Sequence, residues 1–148
     1  MIFRNDIRGI PCDSIGYTVS NGDTSAEGSD IRMIISKNGI ESFFINGTVY
    51  REKSVKKSKL PLIPISQALN SLEGKYSNLL LSDKIVVSNI SLVYSPVLTN
   101  YKKENENTEL VPTWLFNINL KVDKGNGNDA KQAYTNVRIN ALDGKEIR

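Results

Sequence analysis

The chain has 148 residues, enough for one domain or for two small halves sharing a core, with a hydrophobic fraction of 39% and a net charge of +3. It contains no histidine and one cysteine, Cys12, which excludes a Ser-His-Asp triad, a Cys-His dyad, a His-based zinc site and an internal disulfide within the chain. No window holds 18 consecutive apolar residues, so no segment reads as a transmembrane helix, and no signal-peptide pattern opens the chain.

Met1 to Arg8 reads as a strand ending at Gly9-Ile10-Pro11. It looks like the middle of a strand behind a start codon, as expected of a piece of a longer protein, with a native start as the alternative. Ile15 to Val19 is a second short strand, and Asn21 to Ser29 is small, polar and loop-like. Ile31 to Ser36 is a strand. Lys37-Asn38-Gly39 turns the chain into Ile40 to Ile45, because Asn-Gly tolerates positive φ at both central turn positions. A second Asn-Gly, Asn46-Gly47, turns into Thr48-Val49-Tyr50. Residues 1–60 are therefore expected to form a β meander.

Lys53 to Lys59 is a charged connector, and Pro61 and Pro64 keep Leu60 to Ile65 extended. Ser66 is placed to cap a helix whose stripe is Ile65, Ala68, Leu69, Leu72, Tyr76 and Leu79, ending near Ser77 or Asn78. Three strands follow. Lys84 to Ser95 puts Ile90, Leu92 and Tyr94 on one face and is stopped by Pro96. After the polar loop Tyr101 to Glu109 comes Leu110 to Val122, which alternates Leu110, Pro112, Trp114, Phe116, Ile118, Leu120 and Val122 against mostly polar neighbours. That period of two marks a half-buried antiparallel strand. Asp123 to Lys131 is a hairpin loop, Tyr134 to Ala141 is the last full strand, and Asp143-Gly144 turns into a stub at Lys145-Glu146-Ile147. The expected fold class is α+β, in which residues 61–148 lay one main helix across an antiparallel sheet, in layers like those of PepSY and cystatin domains, joined to the meander in one compact unit.

The chemistry-bearing residues weigh toward structure. Asp123 to Asp129 lacks the ligand spacing of a calcium loop, since Gly125 and Gly127 fall on ligand positions and Tyr134 on the twelfth. Glu104, Glu106 and Glu109 sit in a loop with no apolar pocket to split their pKa values. Cys12 has no histidine to activate it and reads as a small half-buried side chain rather than a nucleophile. Lys53, Lys56, Lys57 and Lys59 read as a solvated linker rather than an anionic-surface contact, and the basic residues lack the aromatic interleaving of a nucleic-acid site. Asn46-Gly47-Thr48 and Asn89-Ile90-Ser91 match the glycosylation pattern by chance. The sequence calls for no cofactor and no metal. Val87, Val93 and Leu115 are apolar residues on nominally polar strand faces: either an exposed interaction surface or positions covered by the meander. Tyr94, Trp114, Phe116 and Tyr134 either line a small-ligand or cell-wall carbohydrate groove or pack the core.

The runs Ser91-Leu92-Val93-Tyr94, Leu110-Val111-Pro112-Thr113-Trp114-Leu115-Phe116 and Val137 through Ile147 resemble PepSY-like domains, closest to the YycI type of Gram-positive extracytoplasmic regulator and related lipoproteins. Phe3-Arg4, Gly9-Ile10-Pro11 and Lys37-Asn38-Gly39 are similar to the segment before PepSY in propeptides of thermolysin-like peptidases. The resemblance implies a non-catalytic domain outside the cytoplasm, anchored to the membrane by an N-terminal segment outside this chain. Its partner would be a protein, either a sensor kinase's extracellular part or a peptidase. A peptidase-inhibitor or propeptide-like module is the alternative.

Overall fold

In a computed structural model, residues 2–18, 25–77, 85–97, 108–122 and 131–148 are described. In chain order these hold β1 (Ile2–Arg4), β2 (Asp6–Ile7), β3 (Ile10–Pro11), β4 (Tyr17–Thr18), β5 (Ser25–Ala26), β6 (Ser29–Ser36) and β7 (Gly39–Gly47). Then come α1 (Ile65–Tyr76), β8 (Val86–Val97), β9 (Glu109–Val122) and β10 (Lys131–Asn140). Leu79 of the expected helical stripe, the carboxylates Glu104 and Glu106, and the loop Asp123 to Asp129 lie outside the described residues.

The chain divides into two compact units. The first is Met1–Leu60 with Val93–Pro112 and Arg148, and the second is Pro61–Leu92 with Thr113–Ile147. A boundary at residue 60 is therefore present, but residues 93–112 group with the first unit rather than with the helical half.

The first unit is built of hairpins. β1, β6 and β7 form an antiparallel sheet in the order β1-β6-β7, while β2 pairs with β3 and β4 with β5. The turn between β6 and β7 differs from the expected one. Among the described residues only Arg8 and Lys59 are non-glycine residues with positive φ, so Lys37 and Asn38 form the turn at negative φ and Gly39 alone goes left-handed, at φ 113°. The Asn38 N–H donates to Ser36 Oγ at 3.1 Å, which holds that shape. Asn46-Gly47 makes no hairpin. β7 runs through Gly47, and Thr48 N–H then donates to the Gly28 carbonyl at 3.0 Å.

In the second unit, β9 pairs with β10 in continuous antiparallel register from Trp114↔Ile139 through Phe116↔Val137 to Val122↔Lys131. Opposite residues share a face, so Trp114, Phe116, Ile118, Val137 and Ile139 form one apolar side. Ala68 and Leu72 of α1 join Phe116, Ile118, Val137 and Ile139 in the buried core, with Ile63, Tyr76, Ile85, Val87, Ile90 and Trp114 packed around it. The helix begins two residues earlier than a cap at Ser66 would place it. Pro64 is the N-cap residue, with no side-chain capping bond. The extended Pro61–Pro64 segment is pinned by Ile63, whose N–H donates to the Ala141 carbonyl at 2.8 Å while its carbonyl accepts from Trp114 Nε1 at 3.0 Å. β8 continues through Pro96 to Val97 instead of stopping, since proline removes only one N–H donor from the ladder. The closing turn is a four-residue loop, Ala141–Gly144, with Gly144 N–H donating to the Asn140 carbonyl at 2.9 Å. The stub is an isolated antiparallel bridge, Ile139↔Glu146.

The α+β expectation is corrected by this architecture. Among the described residues ten strands stand against one 12-residue helix, so the protein is dominated by small antiparallel sheets. The reason is local. One helix buries only Ala68 and Leu72, whereas the described residues up to Gly47 form only strands and turns.

Candidate interaction surface

The most distinctive surface is the β6–β7 hairpin. Its register runs Ile31↔Ile45, Arg32↔Phe44, Met33↔Phe43 and Ile34↔Ser42, then shifts to Ile35↔Ile40. The shift leaves Glu41 as an extra residue. A bulge of this kind resets the alternation. Without it Ile40 would share a face with Ser42 and Phe44; with it Ile40 joins Ile31, Met33, Ile35, Phe43 and Ile45. Six apolar side chains therefore stand on one face of the hairpin. Ile34 and Phe44 stand on the other face.

Little of this is covered. Ile34, Ile35, Ile40, Phe43, Phe44 and Ile45 are all at least half exposed, from 50% for Ile35 to 65% for Ile40, while Ile31 and Met33 are half-buried. β7 is also an edge: in the order β1-β6-β7 it is paired on one side only among the described residues. Natural edge strands are blunted by lysine, proline or short length. β7 is nine residues long, has neither lysine nor proline, and carries a single charge, Glu41.

The root of the hairpin is the opposite in character. Ser29 N–H donates to the Asp13 carbonyl at 2.8 Å, and Asp13 N–H donates to the Tyr94 carbonyl at 2.8 Å. The fully buried Asp13 carboxylate accepts from Ile15 N–H at 3.0 Å and from Ser95 Oγ at 3.3 Å. Gly47 passes so close to Gly28 that a Cβ there would lie 2.1 Å from the Gly28 oxygen. Tyr50 closes the base: its N–H donates to Asn5 Oδ1 at 2.8 Å and its hydroxyl to the Glu27 carbonyl at 2.7 Å. Burial, partly opposed by the Thr48 hydrogen bond, pushes the Tyr50 phenol up to about 12. Burial, reinforced by the charges of Asp6 and Asp13, pushes the Cys12 thiol up to about 11. The thiolate is the nucleophilic form, so this cysteine is a packing residue at neutral pH. A rigid buried base thus presents an apolar two-faced ribbon.

The residues singled out in the sequence fall elsewhere. Val93 and Leu115 are buried, at 2% and 5% exposure, and Val87 packs against the core of the second unit. Those three do not form an exposed apolar surface. Thr113 and Leu115 on one face of β9 are buried just as Phe116 on the other is, which explains why apolar Leu115 occupies a nominally polar position. The four aromatics do not line a common groove within one unit. Phe116 is fully buried, Trp114 is half-buried with its indole N–H bonded to Ile63, and Tyr134 pairs with Asn119 on the sheet face opposite Trp114. Tyr94 belongs to the other unit. Glu109 is held by Lys56 at 2.7 Å, and Asp143 accepts from Lys145 N–H within the closing turn. Among the described residues no three His, Cys, Asp or Glu side chains come together to hold a metal.

The hairpin surface was missed because its two strands read as ordinary meander strands. The signal was present: Ile34-Ile35 and Phe43-Phe44-Ile45 are contiguous apolar runs. In a sheet with one covered face they would be broken by polar residues.

No family model and no curated protein matches the chain. The chain is similar to the crystal structure of an uncharacterized protein from Eubacterium rectale ATCC 33656, with a TM-score of 0.69 and 19% identity over 99% of this chain. It spans 41% of the length of that protein. The likeness establishes a shared fold, and the resemblance to PepSY-like domains stands on the sequence motifs alone.

Proposed function

We propose that the chain is a non-catalytic protein-binding module whose partner adds a strand to the open edge of β7. The observation that carries this reading is the exposed apolar hairpin on a buried, hydrogen-bonded root. Fully covering the six half-exposed side chains would contribute about 1 kcal/mol each, roughly 6 kcal/mol together. Association costs are of the same order. Face burial alone is therefore too weak, and main-chain hydrogen bonds along the β7 edge supply the surplus, with the exposed side chains of Phe43 and Ile45 giving selectivity. The fitting partner is an extended apolar segment with a cation placed to meet Glu41.

The extracytoplasmic setting, the membrane anchor outside this chain and a sensor kinase or peptidase as partner rest on the PepSY-like motifs around Trp114 and Val137 through Ile147. The test is capture of envelope proteins by the wild-type chain and by a Phe43→Asp/Ile45→Asp variant. The reading expects one partner at near-stoichiometric yield on the wild type only. Equal capture by both chains would refute it.

A further inference from the structure

The segment that leaves the hairpin root carries a charge distribution the hairpin reading does not use. Residues 51–59, REKSVKKSK, hold five cations and one anion, a net +4, against +3 for the whole chain; the other 139 residues therefore sum to −1. The net positive charge of the protein therefore resides in these nine residues. Every residue from Arg51 to Leu62 is exposed and none is in a helix or strand. The segment is nonetheless held in place. Glu52 takes a bidentate pair from Arg8, with both contacts at 2.7 Å, and Lys56 reaches Glu109 at 2.7 Å. Between and beyond these clamps, Arg51, Lys57 and Lys59 have no ion-pair partner among the described residues. Val55 and Leu60 lie among the cations and are 46% and 41% exposed.

We propose that residues 51–60 form a docking strap for an anionic lipid bilayer surface. Charge complementarity selects a polyanionic partner, and the apolar side chains choose the bilayer among polyanions. A soluble polyphosphate gains nothing from Val55 and Leu60, whereas a headgroup layer accepts cations at its phosphates and apolar side chains just beneath them. The proposal is independent of the β7 edge.

The test is co-sedimentation of the full chain with vesicles of phosphatidylcholine alone and of phosphatidylcholine with about one quarter phosphatidylglycerol, at low and at physiological salt. The expected result is binding to the anionic vesicles only, weakened by salt. Each lysine removed should lower the partition coefficient about fivefold, so Lys57→Gln/Lys59→Gln should lower it roughly 30-fold. These side chains are exposed, so circular dichroism should be unchanged. Val55→Ser/Leu60→Ser should also lower binding, without changing its salt dependence. Sedimentation with neither vesicle, equal sedimentation with both, or an unaltered Lys57→Gln/Lys59→Gln variant would overturn the proposal. So would release by a soluble glycerophosphate polymer combined with unchanged binding of Val55→Ser/Leu60→Ser, which would assign the strap to a polymer instead.

Discussion

Cys12 and Tyr50 both sit at the hairpin root, and both ionise later in the folded protein than in the unfolded chain. Cys12 moves from 9.0 to about 11 and Tyr50 from 10.0 to about 12. Between about pH 9 and pH 12 the unfolded chain has released protons that the folded one keeps, so it binds fewer protons and stability falls as pH rises. Their contribution is complete below pH 9. Urea midpoints should therefore drop between pH 8 and pH 10.5, and Cys12→Ala should remove the earlier part of that drop. The native thiol should also resist a maleimide at pH 7.5 until the chain is unfolded. Two glycines separate strain from crowding. Gly39→Ala forces a side chain to φ 113° in open space, which should cost about 1–2 kcal/mol. Gly47→Ala adds a backbone collision to φ 81° and should cost more than about 2 kcal/mol by urea denaturation.

At the scale of elements, the two apolar strand pairs have opposite roles. Phe116 is fully buried between β10 and α1, and Phe116→Ala should cost about 3–5 kcal/mol. Phe43 is half exposed on β7, and Phe43→Ser should change the stability read by urea denaturation by no more than about 0.5–1 kcal/mol while weakening partner capture. Much of the element layout was legible. The alternation of Trp114, Phe116 and Ile118 marks β9, the spacing of Ala68 and Leu72 marks the inner side of α1, and the turns at Lys37-Asn38 and Asp143-Gly144 fall where glycine punctuates the chain. What was not legible depends on which face each strand turns inward. Val87, Val93 and Leu115 look surplus on polar faces, but Leu115 is buried on one face of β9 just as Phe116 is on the other. Phe43 and Ile45 look like meander core, but no described element covers them. The bulge at Glu41 is a register choice, and a one-residue shift that moves Ile40 across the sheet leaves no trace in composition. The helical stripe is easy to read in the sequence, although only Ala68 and Leu72 of α1 are buried.

The whole molecule is sheet-built, with a well-packed second unit and a first unit that, among the described residues, presents an unblunted edge. An edge of this length and hydrophobicity promotes unwanted pairing unless something covers it. On the proposed reading a partner strand covers it. The direct measurement is quantitative capture from the source organism's envelope fraction, comparing the wild type with Phe43→Asp/Ile45→Asp after both are shown to be folded by circular dichroism. The account predicts one protein retained near one-to-one by the wild type and lost from the variant. Retention of the same protein by the variant, or no specific protein on the wild type, would contradict it.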